Sequence, residues 1–220
     1  MLLKAIKRVI GHVPFIRMPT TARHIRFWSE RKIDWSEAYT KTIDHPHRRL
    51  IIEELQKKPF QSLCEIGCAS APNLLLVKRH FPHVEVGGCD VNKDAIEEAK
   101  KMIPNGIFDV RSADNLFFSD KSVDVVLTDA CLIYLGSKRI KKALKEIKRI
   151  ARLRVVFVEF HEKKWWKRLG VMFMTGNHLH NYEKLLEEAG FYDIQIKKMS
   201  PHIWPKTQWE YFGHVITASL

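Results

Sequence analysis

The segment between residues 62 and 90 constrains the fold of this chain more than any other. Residues 62–66 form a short apolar run that ends in Glu65 and Ile66, with Gly67 just beyond. The small residues Cys68, Ala69, Ser70 and Ala71 follow, and then a proline-initiated helix at 72–81. A second strand, 84–89, ends in Asp90, 25 residues after Glu65. This is the order and spacing of a βαβ nucleotide site, in which the carboxylate closing the second strand reaches a ribose.

The alternation continues downstream. Apolar and β-branched runs predict strands at 106–110, 123–128, 155–160, 191–198 and 211–218. Amphipathic patterns predict helices at 93–102, with Asn92 as cap, at 137–151, and at 181–190, closed by Gly190. Strands alternating with helices imply a mainly parallel sheet covered on both faces. Upstream, residues 2–13 place Leu2, Leu3, Ile6, Val9, Ile10 and Val13 on one helical stripe with Lys4, Lys7 and Arg8 off it. A second helix is expected over 33–39. A third is expected over 46–58, with Asp44 as its cap and Pro46 in its first turn. The chain thus divides into a helical extension or lid, residues 1–58, and an α/β domain, residues 59–220.

The net charge of +12 is uneven. It is +7 over residues 1–58, −4 over 59–137 and +10 over 138–168. Two basic zones therefore flank the nucleotide half and suggest an anionic partner: a lipid surface, a nucleic acid or a phosphorylated substrate. The 2–13 stripe suits a helix lying on an anionic membrane. No apolar run reaches the roughly 20 residues that span a bilayer, and the start of the chain lacks the pattern of a signal peptide. Cys64, Cys68, Cys89 and Cys131 read as reduced core residues in or beside buried strands, with no Cys/His set at zinc spacing, so the expected compartment is the cytosol.

Four motifs together resemble class I S-adenosylmethionine-dependent methyltransferases of the small-molecule type. They are Glu65 to Asn73, Asp90 with Val91 and Asn92, Ala113-Asp114-Asn115 with Leu116 and Phe117, and residues 123–135 with Asp129 and Tyr134. The resemblance covers roughly residues 60–220. It implies a Rossmann-like three-layer sandwich with a seven-stranded, mainly parallel sheet whose last strand is antiparallel. It also implies S-adenosylmethionine as cofactor. Glu65 would attract its ammonium, Gly67 and Ala69 would let the backbone approach, and Asp90 would accept from the ribose hydroxyls. Asp114 would accept from the adenine amino group, with Asn73, Val91, Ala113, Asn115 and Asp129 completing the set. The family's first motif has three alternating glycines, and here Ala69 and Ala71 replace two of them. Alanine is mild there at negative φ and strained at positive φ. A nicotinamide site fits less well, because a pyrophosphate needs those glycines.

Methyl transfer requires a positioned nucleophile and, for a hydroxyl, a base. Asp129 and His161 follow the fourth and fifth long strands and are the catalytic candidates. Tyr134, His45, His47 and Trp165 are candidates for the acceptor side. The expected acceptor is a small, lipid-linked or glycan-linked molecule methylated on oxygen or nitrogen. The alternatives are an RNA or other nucleic-acid methyltransferase, suggested by the charge, and a non-catalytic adaptor. Against the first, no RNA-binding module is recognisable. Asp129-Ala-Cys-Leu also stands where amine-methylating relatives carry Asn/Asp-Pro-Pro-aromatic.

Overall fold

The computed structural model describes residues 21–220, so the 2–13 stripe lies outside the described residues. Three helices come first: α1 (Thr21–Ser29), α2 (Trp35–Thr40) and α3 (Pro46–Gln56). The α/β part follows as β1 (Ser62–Ile66), α4 (Pro72–His80), β2 (Glu85–Asp90), α5 (Lys93–Met102), β3 (Ile107–Val110) and β4 (Val123–Asp129). A 3-10 turn (Leu132–Tyr134) leads to α6 (Ser137–Ile150), β5 (Ala151–Phe160), α7 (Trp165–Thr175), α8 (Tyr182–Glu188), β6 (Tyr192–Lys198), α9 (Gln208–Phe212) and β7 (Gly213–Ser219).

The seven strands form one sheet in the order β3-β2-β1-β4-β5-β7-β6. β1 to β5 pair in parallel, and β7 runs antiparallel between β5 and β6. The central strands are apolar on both faces because helices cover both. Leu63, Val125, Leu127, Val156 and Val158 pack with Ile51 and Leu55 of α3 and Leu74 and Val77 of α4. Their neighbours Cys64, Ile66, Val126, Val155 and Phe157 point the other way, to Ile140, Leu144 and Ile147 of α6 and Leu186 of α8. The sheet order reverses between β1 and β4, and open α/β sheets bind ligands beyond the carboxyl ends at such a point.

Several boundaries differ from the sequence expectation, each for a local reason. The cap of α3 is His45, not Asp44, with its Nδ1 3.4 Å from the His47 amide. β5 begins at Ala151, directly after α6, and so includes two arginines that look foreign to a strand. One of them, Arg154, is buried and donates to the carbonyls of Glu54, Leu55 and Lys58, closing the C-terminus of α3. β7 begins at Gly213 because the Thr207 hydroxyl caps a short helix, α9, ahead of it. Helices α1 and α7 are additions that the sequence pattern did not predict.

The turn between β1 and α4 keeps the glycine-type backbone without the glycines. Gly67, Ala69 and Ala71 have φ of 74°, 47° and 64°. At Gly67 a Cβ would lie 2.5 Å from the Cys131 sulfur, so glycine is required for space as well as for φ. A left-handed alanine costs about 1–2 kcal/mol. Ala69→Gly is therefore expected to stabilise the chain by about 1 kcal/mol, read as a higher midpoint of thermal unfolding. Ala71 is fully buried. Ala71→Gly also forfeits roughly 0.8 kcal/mol of methyl burial, so its expected change is near zero. Equal shifts from the two variants would contradict this assignment of strain.

Candidate functional site

A cavity of about 340 Å³ opens at the carboxyl ends of β1, β2 and β4. Each strand end delivers a side chain or backbone group to it: Glu65 and Gly67 from β1, Asp90 and Val91 from β2, Asp129 and Ala130 from β4. The N-terminal helices roof it with Ile25, Trp28, Trp35, His45, His47 and Arg48, and Trp204 and Trp209 wall it from the C-terminal side. The roof is tied down at several points. The Asn92 side-chain amide donates to the carbonyls of Trp28 and Arg31, while its oxygen caps α5. Ser70 Oγ donates to the Trp35 carbonyl, and Lys32 pairs with Asp94.

Six side chains form a continuous, mostly buried network on the cavity floor. Asn73 Nδ2 donates to Glu65 Oε1 at 2.6 Å and to Asp129 Oδ2 at 3.0 Å. The Asn73 oxygen accepts from Arg48, whose guanidinium also lies 3.8 Å from Asp129 Oδ2. His47 Nε2 meets the same Asp129 oxygen at 3.0 Å. His47 Nδ1 lies 2.6 Å from His45 Nδ1. Trp204 stacks on His45 at 4.8 Å between centroids and packs on His47 at 4.3 Å.

These contacts set the charges. Burial tends to raise Asp129, but the hydrogen bond from His47, the nearby Arg48 and Asn73 outweigh it and hold its carboxyl below the usual range. Glu65 shows the opposite balance. Burial, reinforced by Asp129, outweighs Asn73 and pushes it up to about 8. Its second oxygen is buried with no partner among the described residues, so the floor holds a carboxyl that lacks a cationic donor. Burial raises Asp90 even though its two oxygens accept from the Ala69 and Asn92 amides at 3.0 and 2.9 Å. Each of those oxygens keeps a further acceptor position. His45 is lowered by burial and by the neighbouring His47 and Arg48.

The structure brings most of the sequence candidates together and sets four apart. Glu65, Gly67, Ala69, Asn73, Asp90, Val91, Ala113, Asp129, Tyr134, His45 and His47 all line the cavity. Asp114 and Asn115 are absent from its lining. The Asp114 carboxylate is held by Arg139 of α6 at 2.7 and 2.5 Å and by the Ser112 hydroxyl. His161 is not at the cavity either. It is buried where β5 meets α8 and β7, its Nδ1 accepts from the Tyr182 amide, and burial next to His214 lowers it to about 4. Trp165 is exposed on α7.

Two contributors are not among the sequence candidates. Arg48 carries no local signal, since its partners lie far away in sequence. Glu159 had one: an acid inside the apolar run of β5. It is fully buried and accepts from Thr128 Oγ1 and from the amides of Cys131, Leu132 and Ile133, which fixes the loop after Asp129. Burial raises it to about 7 against those bonds.

A family model described as a methyltransferase domain matches residues 63–153, the stretch that supplies this cavity floor. Residues 63–153 are a class I S-adenosylmethionine-dependent methyltransferase domain. The methyltransferase is 24% identical over 157 residues to the demethylmenaquinone methyltransferase of Thermotoga maritima, which covers 64% of this chain and 68% of that protein. Its fold is similar to that of magnesium protoporphyrin IX methyltransferase from Synechocystis, solved with bound S-adenosylmethionine. The TM-score is 0.58 at 14% identity, over 90% of this chain and 89% of that one. It is also similar to geranyl diphosphate C-methyltransferase from Streptomyces coelicolor, with a TM-score of 0.66 at 14% identity, over 95% and 99% of the two chains. The cofactor of the methyltransferase is S-adenosylmethionine.

Proposed function

We propose that this methyltransferase methylates an oxygen of a small or lipid-linked hydroxylated acceptor, with His45 as general base. The observation that carries the reading is the unbroken chain His45–His47–Asp129 on the cavity wall. Bound S-adenosylmethionine supplies a methyl group on a sulfonium, whose sulfur keeps the electron pair of the broken bond as the acceptor oxygen–carbon bond forms. The protein must take up the acceptor's proton.

The chain has two self-consistent proton states. In the first, His47 Nε2–H donates to Asp129, His47 Nδ1 accepts from His45 Nδ1–H, and His45 Nε2 is a free base. In the second, His45 Nε2 has taken a proton and Nδ1–H has passed to His47. His47 is then an imidazolium beside Asp129, and His45 Nδ1 accepts from it and from the His47 amide at 3.4 Å. The positive charge ends on the buried, acid-paired ring instead of at the cavity surface. Asp129 and His47 are positioning residues in this scheme. The lowered affinity of His45 for protons keeps it ready as a base at neutral pH.

The residues on the floor fit the cofactor. Glu65 offers its unpartnered oxygen to the ammonium, Asp90 its remaining acceptor positions to the ribose, and Gly67 and Ala69 their backbone. Helices α1 to α3 act as the lid. One consequence is a proton balance. A carboxyl raised when folded binds its proton more tightly in the folded state. Its contribution to stability is therefore full below about 4.5 and is lost as pH rises through about 8. A cation placed at Glu65 returns it to the ionised form. Cofactor binding at pH 7 should therefore release roughly one proton, seen by calorimetry in buffers of different ionisation enthalpy. Glu65→Gln should abolish that release. Unchanged release in the variant would remove Glu65 from the ammonium site.

The acceptor atom is tested with a tritium-labelled methyl donor and a panel of phenols, alcohols and amines of similar size. Label on oxygen supports the reading, and label confined to amines overturns it.

A further inference from the structure

We propose that α7 is an interfacial helix that docks the enzyme on an anionic lipid bilayer. At about 100° per residue, Trp165, Leu169, Phe173, Trp166 and Met174 fall within half of the helix circumference. All five are exposed, Trp165 by 67%, Phe173 by 57% and Trp166 by 54%. No charged side chain interrupts that half. The opposite side is anchored by Val171, which packs with Ile133, Phe160 and Leu179. An apolar face of this kind on a helix otherwise fixed to the domain marks an interaction surface.

The charges select the partner. Residues 163–175 hold Lys163, Lys164, Lys167 and Arg168 and no acid. The nearest acids are already neutralised, Glu183 by Lys163 and Glu162 by Lys167. Lys164 has no ion pair among the described residues, and Lys164 and Lys167 lie over the Trp166 ring. Lysines are depleted in protein interfaces. Paired tryptophans with flanking lysines suit the boundary between headgroups and acyl chains, where the rings bury and the ammonium groups meet anionic headgroups.

Docking there has a consequence for the active site, which rests on the acceptor reading above. Beyond α7, Asn177 lines a second cavity of about 410 Å³ with Ile133, Phe160 and Lys206. That cavity shares Ala130, Tyr134 and Trp209 with the first. A lipid-linked acceptor would thus meet a second cavity that adjoins the catalytic one and lies next to the segment following α7.

The test uses the full chain without acceptor or cofactor, so it stands apart from the methylation reading. Flotation is measured with phosphatidylcholine vesicles and with phosphatidylcholine–phosphatidylglycerol vesicles. The expected result is flotation with the anionic vesicles and a blue shift of tryptophan emission. The triple variant Trp165→Ser, Trp166→Ser, Phe173→Ser should bind about tenfold more weakly or worse, with an unchanged unfolding midpoint. Lys163→Gln with Lys164→Gln should also bind roughly tenfold more weakly, and only to the anionic vesicles. Flotation of the triple variant equal to that of the natural chain would overturn the proposal and leave residues 2–13 as the contact. Absence of flotation would also overturn it, as would a dimer of the natural chain that the triple variant converts to monomer, which would assign the face to a second copy.

Discussion

His45→Gln is expected to lower kcat by about 10²–10⁴ while leaving cofactor affinity within a few-fold, because a positioned base contributes a factor of that size. Asp129→Asn should lower kcat by roughly 10² through the tautomer of His47. The two variants differ in their pH profiles. In the natural enzyme the acid limb of kcat/KM should lie below the ordinary histidine value of 6.5, since burial, His47 and Arg48 all depress His45. Removing the Asp129 charge takes away the one interaction that raises it, so the limb should move to still lower pH as the rate falls. Loss of the histidine should remove that limb. A purely structural role for Asp129 would lower the rate without moving the limb. Steady-state rates from pH 5 to 9 with the best oxygen acceptor from the panel separate these outcomes.

Asp90→Ala should weaken S-adenosylhomocysteine binding by about 10²-fold or more, measured by calorimetry. Each hydrogen bond from a hydroxyl to a charged acceptor contributes about 1.5–3 kcal/mol, and the ribose offers two. The substitution also frees the Ala69 and Asn92 amides, which Asp90 holds at 3.0 and 2.9 Å. A loss of stability of about 1–3 kcal/mol should accompany it. Asp90→Asn keeps an acceptor for one amide and loses the charge, so it should bind at intermediate strength with a smaller change in stability. Full affinity in either variant would remove Asp90 from the ribose site.

The parts of the molecule that were legible in the sequence are those whose cause is local. The βαβ unit shows in the apolar run before Glu65, in Pro72 at the helix start and in Asn92 as the cap of α5. Placing residues at strand ends sufficed for Glu65, Asp90 and Asp129, because the β1, β2 and β4 ends are open to the cavity. The same rule misplaced His161. The end of β5 is closed by β7, which pairs Gly213 with Phe160, and by the bridge to His180. Asp114 lies off the cavity lining, where Arg139, 25 residues further on, holds its carboxylate. Arg48 and Glu159 act through contacts that only the tertiary fold creates. Helices α1 and α7 escaped detection for a different reason. An amphipathic pattern is recognised by its buried stripe, and α7 buries only Val171 while exposing its apolar half. The positive φ of Ala69 and Ala71 could be posed as a question from the sequence but not answered there.

The relay itself is tested most directly by nitrogen-15 NMR of His45 in the S-adenosylhomocysteine complex, titrated from pH 8 to pH 5. The account predicts a neutral ring above pH 6.5 with its proton on Nδ1 and a lone pair on Nε2, and at lower pH a ring that stays neutral while its proton appears on Nε2 and His47 becomes the imidazolium. A ring that carries its proton on Nε2 throughout, with Nδ1 serving only as the helix cap, would contradict it.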